Sequence, residues 1–294
     1  MLILISDAFD ETLPKILSKY GEVTDDKARL KDADIVLVRS KTKVNRAYID
    51  SAPKLKLVIR GGVGMDTIDM EYAGEKGIIC KNTAEASTTS VAELAFALMI
   101  AMPNYIVPAN NTTKEGKWLK NDFERSELNG KTLAILGLGR IGLALAVRAR
   151  GFHMNVVGYH PDVHFTDFAE IRNSLEETLA EAHFVSLHMP LKEETRGMIN
   201  KETLKLFHDG AYLINTSRGA IVVEQDVADA LKSGKLGGYA ADVFEPEPPG
   251  DSPLFHAPNT ICTPHLGASS KENMLRIGSM IERTIAEYTK GHLH

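Results

Sequence analysis

Short apolar runs alternate with amphipathic segments along the whole chain, and no other feature restricts its fold as much. LILIS, DIVLVRS, LKLVIRG and GIICKN make a first series of strand candidates. TLAILG, NVVGYH, FVSLHMP, AYLINTS, GGYAADVF and NTICTPH make a second. Between the runs lie segments such as SLEETLAEA and EQDVADALKSG, each apolar along one helical face. The runs lack clean apolar–polar alternation, so each strand should be covered on both faces, as in parallel sheets wrapped by helices. Two such series predict an α/β chain with two doubly wound parallel sheets.

One long segment, about Ser90 to Gly116, separates the series. Ser90 and Glu93 have the spacing of a capping box, which predicts a helix starting there. Its apolar excess suits packing on its own domain or a contact between two copies of the chain. The last segment, SSKENMLRIGSMIERTIAEY, is amphipathic, has no strand after it and should return to one of the two domains.

With 294 residues, 44% hydrophobic and 25% charged, the chain can bury two cores. A formal net charge of -5 gives no basic footprint for nucleic acid and no polybasic membrane patch. VAELAFALMIAMPNYIV is broken by Glu93 and Pro103 and falls short of the roughly 20 apolar residues of a membrane span. The N-terminal MLILISDAFDE enters a strand pattern without the basic and long apolar regions of a signal peptide. These features predict a cytoplasmic protein with no nucleic-acid or membrane partner. Cys80 and Cys262 are too few for a disulfide framework, and each sits in an apolar run as a buried reduced thiol would. No metal site is expected.

TLAILGLGRIG sets Gly137, Gly139 and Gly142 directly after a strand and at the start of a helix that Gly151 can end. The physical logic is that of a dinucleotide site. Gly137 permits a tight turn, Gly139 lets backbone approach a pyrophosphate, and Gly142 lets helix and strand pack closely. Arg140 and Ile141 complete the turn. The next strand, NVVGYH, ends in His160, where an acid would bind both ribose hydroxyls of NAD. The residues that follow include Asp162 but no Arg or Lys for a 2'-phosphate. An imidazole can hydrogen-bond a ribose hydroxyl, so NAD is the expected cofactor, with weakened discrimination against NADP.

Three polar residues close late strands of the second series: Arg218 in INTSRGAIV, Glu247 in DVFEPEPP and His265 in CTPHLGAS. Alone, each has an ordinary surface explanation. Together, and with VRSKTKV, VIRGGVGMDTID, SVAELAFALMIAMPN and ELNGKTLAILGLGRIG in the same order, they make the chain resemble the D-isomer-specific 2-hydroxyacid dehydrogenases. Within that family it is most similar to the D-3-phosphoglycerate dehydrogenases.

The resemblance implies a Rossmann-type cofactor domain over residues 88–267. It also implies a discontinuous, flavodoxin-like substrate domain from 1–87 and 268–294, with the active site in the cleft between them. It casts Arg218 as the anchor of the substrate carboxylate or carbonyl, His265 as the acid/base and Glu247 as the partner of the histidine. Asp242, Gly267 and Ala268 fall at the carboxamide end of the cofactor, and Met189, Pro190 and Thr216 at its adenosine and nicotinamide sides. The roles are chemically apt. Imidazolium, with an unperturbed pKa near 6.5, can give a proton to a carbonyl oxygen and recover it. A carboxylate orients it, and a guanidinium binds a carboxylate through two parallel hydrogen bonds.

Arg39, Lys41, Lys43 and Arg60 bring positive charge to the strand ends of the first series, and the amides of Gly61, Gly62, Val63 and Gly64 can cradle a carboxylate. In the resembled phosphoglycerate dehydrogenases, arginines matching Arg39 and Arg60 approach the substrate phosphate. That implies oxidation of 3-phosphoglycerate to 3-phosphohydroxypyruvate, the entry to serine synthesis. The apolar excess of the segment from Ser90 to Gly116 is what predicts a homodimer. Many such enzymes continue into regulatory domains; this chain stops at His294, so feedback control through such a domain is not expected. The other readings are a reductase of glyoxylate, hydroxypyruvate or another 2-keto acid, and an NAD-sensing co-repressor scaffold.

Overall fold

The computed structural model describes residues 1–293 and divides into two compact units. One runs from Met1 to Thr88 and resumes at Ala268; the other is Thr89–Gly267.

The first unit holds strands β1 (Leu2–Ile5), β2 (Glu22–Thr24), β3 (Ile35–Val38), β4 (Leu57–Arg60) and β5 (Ile79–Asn82). All are parallel, in the order β2-β1-β3-β4-β5. This is the flavodoxin-like order, whose strands reverse direction of progress beside β1. Unbroken apolar runs such as IVLV and LVIR are buried along their whole length, so both faces need cover. Val36, Val38 and Val58 pack with Ile49 and Ala73 on one face. On the other, Ile3, Ile35, Leu57 and Ile59 meet Leu13, Leu17 and the final helix, Lys271–Thr289. Ile277, Ile281 and Ile285 recur at every fourth position of that helix and are fully buried. Its first turn is capped by Ser270, whose hydroxyl accepts from the Asn273 amide at 3.2 Å.

The second unit carries β6 (Thr132–Leu136), β7 (Asn155–Tyr159), β8 (Glu170–Ile171), β9 (Phe184–Leu187), β10 (Ala211–Asn215), β11 (Leu236–Ala241) and β12 (Thr260–Cys262). They form one parallel sheet in the order β12-β11-β10-β9-β6-β7-β8. The order reverses between β6 and β9, which makes their carboxyl ends the place for a ligand.

Several expectations need correction. The connector is not one helix but two, Thr88–Ala101 and Ile106–Lys114, bent by 64°. Pro103 stands at the break, and Tyr105 adopts a left-handed φ of 52°. The capping box does not form, because the helix already begins at Thr88: Ser90 donates instead to the Gly267 carbonyl at 2.6 Å, and Glu93 pairs with Arg148 at 3.0 Å. Cys262 is exposed and Cys80 only half-buried. β2 and β8, three and two residues long, are too short to show a periodicity. Among the described residues no single helix is long and apolar enough to cross a membrane.

Candidate active site

The glycine turn forms as its spacing predicts. Gly137 has φ 102°, and a Cβ there would lie 2.5 Å from the His188 carbonyl oxygen. A Cβ on Gly142 would stand 2.2 Å from the Gly137 oxygen, so both positions exclude side chains by contact as well as by backbone angle. Gly139 begins the helix Arg140–Gly151 with open space where its Cβ would be and no side chain capping the helix. Amides at that end point outward, as a pyrophosphate requires. Arg140 and Ile141 open the helix.

At the end of β7, His160 has turned its ring onto its own loop: Nδ1 accepts from the Asp162 amide at 3.1 Å. Nε2 therefore carries the proton of the neutral ring and faces away from that contact. The neighbouring strand brings in a cation the local sequence lacked. The Arg172 amide donates to the Gly158 carbonyl at 2.9 Å. Strand alternation puts Arg172 on the face of Tyr159 rather than of His160, and its guanidinium pairs with Glu170 at 3.2 Å.

At the carboxyl end of β9, Met189 packs partly against the core, and the Pro190 carbonyl accepts from the Thr195 hydroxyl at 2.8 Å. Thr216, just past β10, has a buried hydroxyl oxygen with no hydrogen-bond partner. A buried polar atom left in that state marks a place for a polar group from outside the chain. With the open Gly139 and the outward amides, it shows that these residues fit a dinucleotide.

His265 and Glu247 are joined by a 2.7 Å hydrogen bond between Nδ1 and Oε2, their side chains 31% and 34% exposed. The other Glu247 oxygen accepts from the Phe244 amide at 3.2 Å. Burial works to raise the Glu247 carboxyl, but His265, the Phe244 amide and the charge of Arg218 outweigh it and hold the group below its ordinary range. An ionised Glu247 accepts a hydrogen bond from Nδ1–H and leaves Nε2 as the nitrogen able to exchange protons.

His265 itself sits at a left-handed φ of 54°, a costly conformation for a side chain with a Cβ. Asp242 supports it. Its carboxylate, 1% exposed, accepts from the Thr263 hydroxyl at 2.6 Å, the Leu266 amide at 2.7 Å and the Gly267 amide at 2.8 Å. Both oxygens are thus engaged on the loop around His265. Arg218 follows β10, and its Nη1 donates to the Ser217 carbonyl at 2.6 Å.

In the first unit, the Arg39 amide donates to Asp7 at 2.6 Å, and its guanidinium reaches the carbonyls of Ala8 and Ala268 at 3.4 and 3.3 Å. Arg60 is 6% exposed at the end of β4, with Nη1 only 2.2 Å from where a Gly62 Cβ would be. A side chain at position 62 would push that flexible guanidinium aside, and the φ of 153° there also favours glycine. The Gly61 amide donates to the Val38 carbonyl, and the Gly62 amide to the Arg60 carbonyl and the Thr83 hydroxyl. Two of the four candidate cradle amides are thus engaged within the chain. Lys41 and Lys43 are exposed.

Sequence reasoning passed over three residues at these strand ends. His188 is half-buried, its Nε2 2.8 Å from the Ser186 hydroxyl, and desolvation pushes its pKa down to about 4. Asn215 closes β10 fully buried, and Thr263 completes the Asp242 network. Polar residues directly after apolar runs were the available signal, but neither a charge nor a motif singled these out.

The model of the D-isomer specific 2-hydroxyacid dehydrogenase NAD binding domain matches residues 96–267. The chain is similar to a D-3-phosphoglycerate dehydrogenase of Methanocaldococcus jannaschii, 42% identical over 99% of this chain and 58% of that one. It is also similar to a hydroxypyruvate reductase of Thermotoga maritima, 41% identical over 87% and 85% of the two chains. Among solved structures, a D-lactate dehydrogenase of Aquifex aeolicus complexed with NAD and lactic acid superposes with a TM-score of 0.90 at 29% identity, covering 100% and 96% of the chains. Against the phosphoglycerate dehydrogenases of M. jannaschii and Bacillus subtilis, the chain spans 58% and 57% of their length. The glycine turn on β6, the acid-paired histidine after β12 and these likenesses agree: the chain belongs to the D-isomer specific 2-hydroxyacid dehydrogenases, and its second unit is their NAD binding domain.

Proposed function

We propose that this chain is an NAD-dependent oxidoreductase interconverting a D-2-hydroxy acid and its 2-keto acid, with 3-phosphoglycerate and 3-phosphohydroxypyruvate as the pair. The observation that carries the reading is the 2.7 Å bond from His265 to Glu247 on a loop held by Asp242. When bound, the nicotinamide supplies or takes the hydride. The chain's own part is proton transfer and binding. His265 exchanges a proton at Nε2 with the substrate oxygen, and Glu247 keeps the ring oriented. Arg218 binds the carboxylate and polarises the carbonyl.

Arg39 and Arg60 are assigned to the acidic end of the substrate. The burial of Arg60 supports this, since arginine is ordinarily solvated rather than buried. The similarity to phosphoglycerate dehydrogenases supports it too, although a hydroxypyruvate reductase is nearly as similar. His160 offers an N–H in either protonation state, and so gives the ribose a donor where a carboxylate would give an acceptor. NAD is the cofactor, with weak discrimination against NADP. The assembly is a homodimer: Ile106, Val107 and Trp118, 55%, 42% and 82% exposed, give the segment after the first helix of the second unit an apolar outer surface.

Nicotinamide absorbance kinetics with 3-phosphohydroxypyruvate, hydroxypyruvate and glyoxylate test the reading. A kcat/KM at least tenfold higher for the phosphorylated acid, about 1.4 kcal/mol of transition-state binding, and lost in Arg60→Ala, supports it. Preference for an unphosphorylated acid makes the chain a general 2-keto acid reductase. Turnover of none, with NADH binding retained, overturns the enzymatic reading.

A further inference from the structure

Arg218 has no fixed place in a strand or a long helix; it lies in the turn between β10 and a short 3-10 segment, Gly219–Ile221. A guanidinium that must meet a carboxylate in one orientation needs that turn held still. The residue in reach is Asn215, the last of β10 and fully buried. Its side-chain oxygen accepts from the Ser217 amide at 3.0 Å and from the Ser217 hydroxyl at 2.9 Å. Its Nδ2 donates to the Arg218 carbonyl at 2.9 Å. One amide thus ties the middle and the far end of the Thr216–Arg218 turn to the last residue of the strand.

The far side of the turn is seated equally closely. A Cβ on Gly219 would lie 2.1 Å from the Phe244 carbonyl carbon and 2.4 Å from its oxygen. The same Phe244 donates its amide to Glu247, which holds His265. A continuous run of backbone and buried polar contacts therefore joins Asn215, Arg218, Phe244, Glu247 and His265.

We infer that Asn215 is the positioning residue of Arg218: its amide sets where the guanidinium stands relative to the His265–Glu247 pair. The inference rests on the dehydrogenase reading above. No other chain atom needs to move for Asn215 to act, and nothing in it requires contact with substrate or cofactor.

The test is a double-mutant cycle of Asn215→Asp with Arg218→Ala, read by kcat/KM for 3-phosphohydroxypyruvate and hydroxypyruvate, and by NADH affinity in calorimetry. Aspartate keeps the acceptor for Ser217 but, ionised, sets a carboxylate against the Arg218 carbonyl. The expected result is a loss of about tenfold to a hundredfold in kcat/KM in the Arg218 background, shrinking to under threefold once Arg218 is alanine. NADH affinity should stay within twofold, and N215D should recover part of its loss relative to wild type at acid pH, where the aspartic acid regains a donor. Equal losses in both backgrounds overturn the inference, because Asn215 then acts independently of Arg218. If N215D fails to fold, Asn215→Ser replaces it in the same cycle; failure of both to fold makes Asn215 a folding residue and also overturns the inference. An Arg218→Ala enzyme with unimpaired turnover refutes the functional reading instead.

Discussion

The three donors on Asp242 allow a worked prediction. In Asp242→Asn, the carboxamide oxygen can keep the Thr263 hydroxyl and the Leu266 amide, now at 2.6 and 2.7 Å from Oδ1. The new NH2 group then faces the Gly267 amide, 2.8 Å away, donor against donor. A charge-assisted hydrogen bond is lost and a buried amide is left without an acceptor, together costing about 2–4 kcal/mol. His265 feels this directly, because its φ of 54° persists only while the surrounding loop holds it. If that cost falls on the transition state, kcat/KM drops by about 30- to 900-fold at 1.36 kcal/mol per decade. Steady-state kinetics with a 2-keto acid and NADH, beside calorimetric NADH affinity, separate the possibilities. A kcat/KM within threefold of wild type refutes the reasoning. So does a loss confined to NADH affinity, since Asp242 would then serve the cofactor rather than the loop.

Other outcomes follow from the same geometry. His265→Asn should abolish turnover and leave NADH binding intact; full activity would remove His265 from the mechanism. His160→Asp, by giving the ribose an acceptor and a 2'-phosphate a negative neighbour, should raise the NADH-over-NADPH affinity ratio at least tenfold, and an unchanged ratio would show that His160 does not discriminate. Gly142→Ala sets a methyl 2.2 Å from the Gly137 oxygen, so a stability loss of about 1–3 kcal/mol and weakened NADH binding are expected, checked by urea unfolding and titration. Because the Glu247 carboxyl is held below its unfolded value, its stabilising contribution is complete above the unfolded carboxylate pKa, about 4.3, and fades as pH falls through the lowered folded value. The stability gap between wild type and Glu247→Gln should therefore be flat at neutral pH and shrink only in acid; a gap that closes near pH 7 contradicts the assignment.

What could be read before the fold was seen follows a physical line. Apolar runs without alternation, such as IVLV, announce strands covered on both faces, and a glycine turn announces its own backbone angles. Arg218, Glu247 and His265 were legible only together, through their order among motifs that resemble a family, since each alone has an ordinary surface explanation. The supporting residues were not. Thr263 acts through Asp242, whose nearness depends on the adjacency of β11 and β12, and Asn215 acts through a turn two and three residues on, whose closure no periodicity announces. Arg172 reaches the end of β7 only because β8 pairs there, and two residues leave no pattern in a sequence. The capping-box spacing at Ser90 misled because the helix had already begun at Thr88, and the Ser90 hydroxyl instead donates to Gly267, far along the chain.

The final helix has a bearing on how the protein is made. The face of the first sheet built from Ile3, Ile35, Leu57 and Ile59 is closed by Ile277, Ile281 and Ile285, which the chain supplies only after the whole Thr89–Gly267 unit. At ribosomal speeds that delay is on the order of tens of seconds, long enough for the second unit to fold while the first still shows an uncovered apolar face. The nascent chain thus passes through a state in which its later part is finished and its beginning is not.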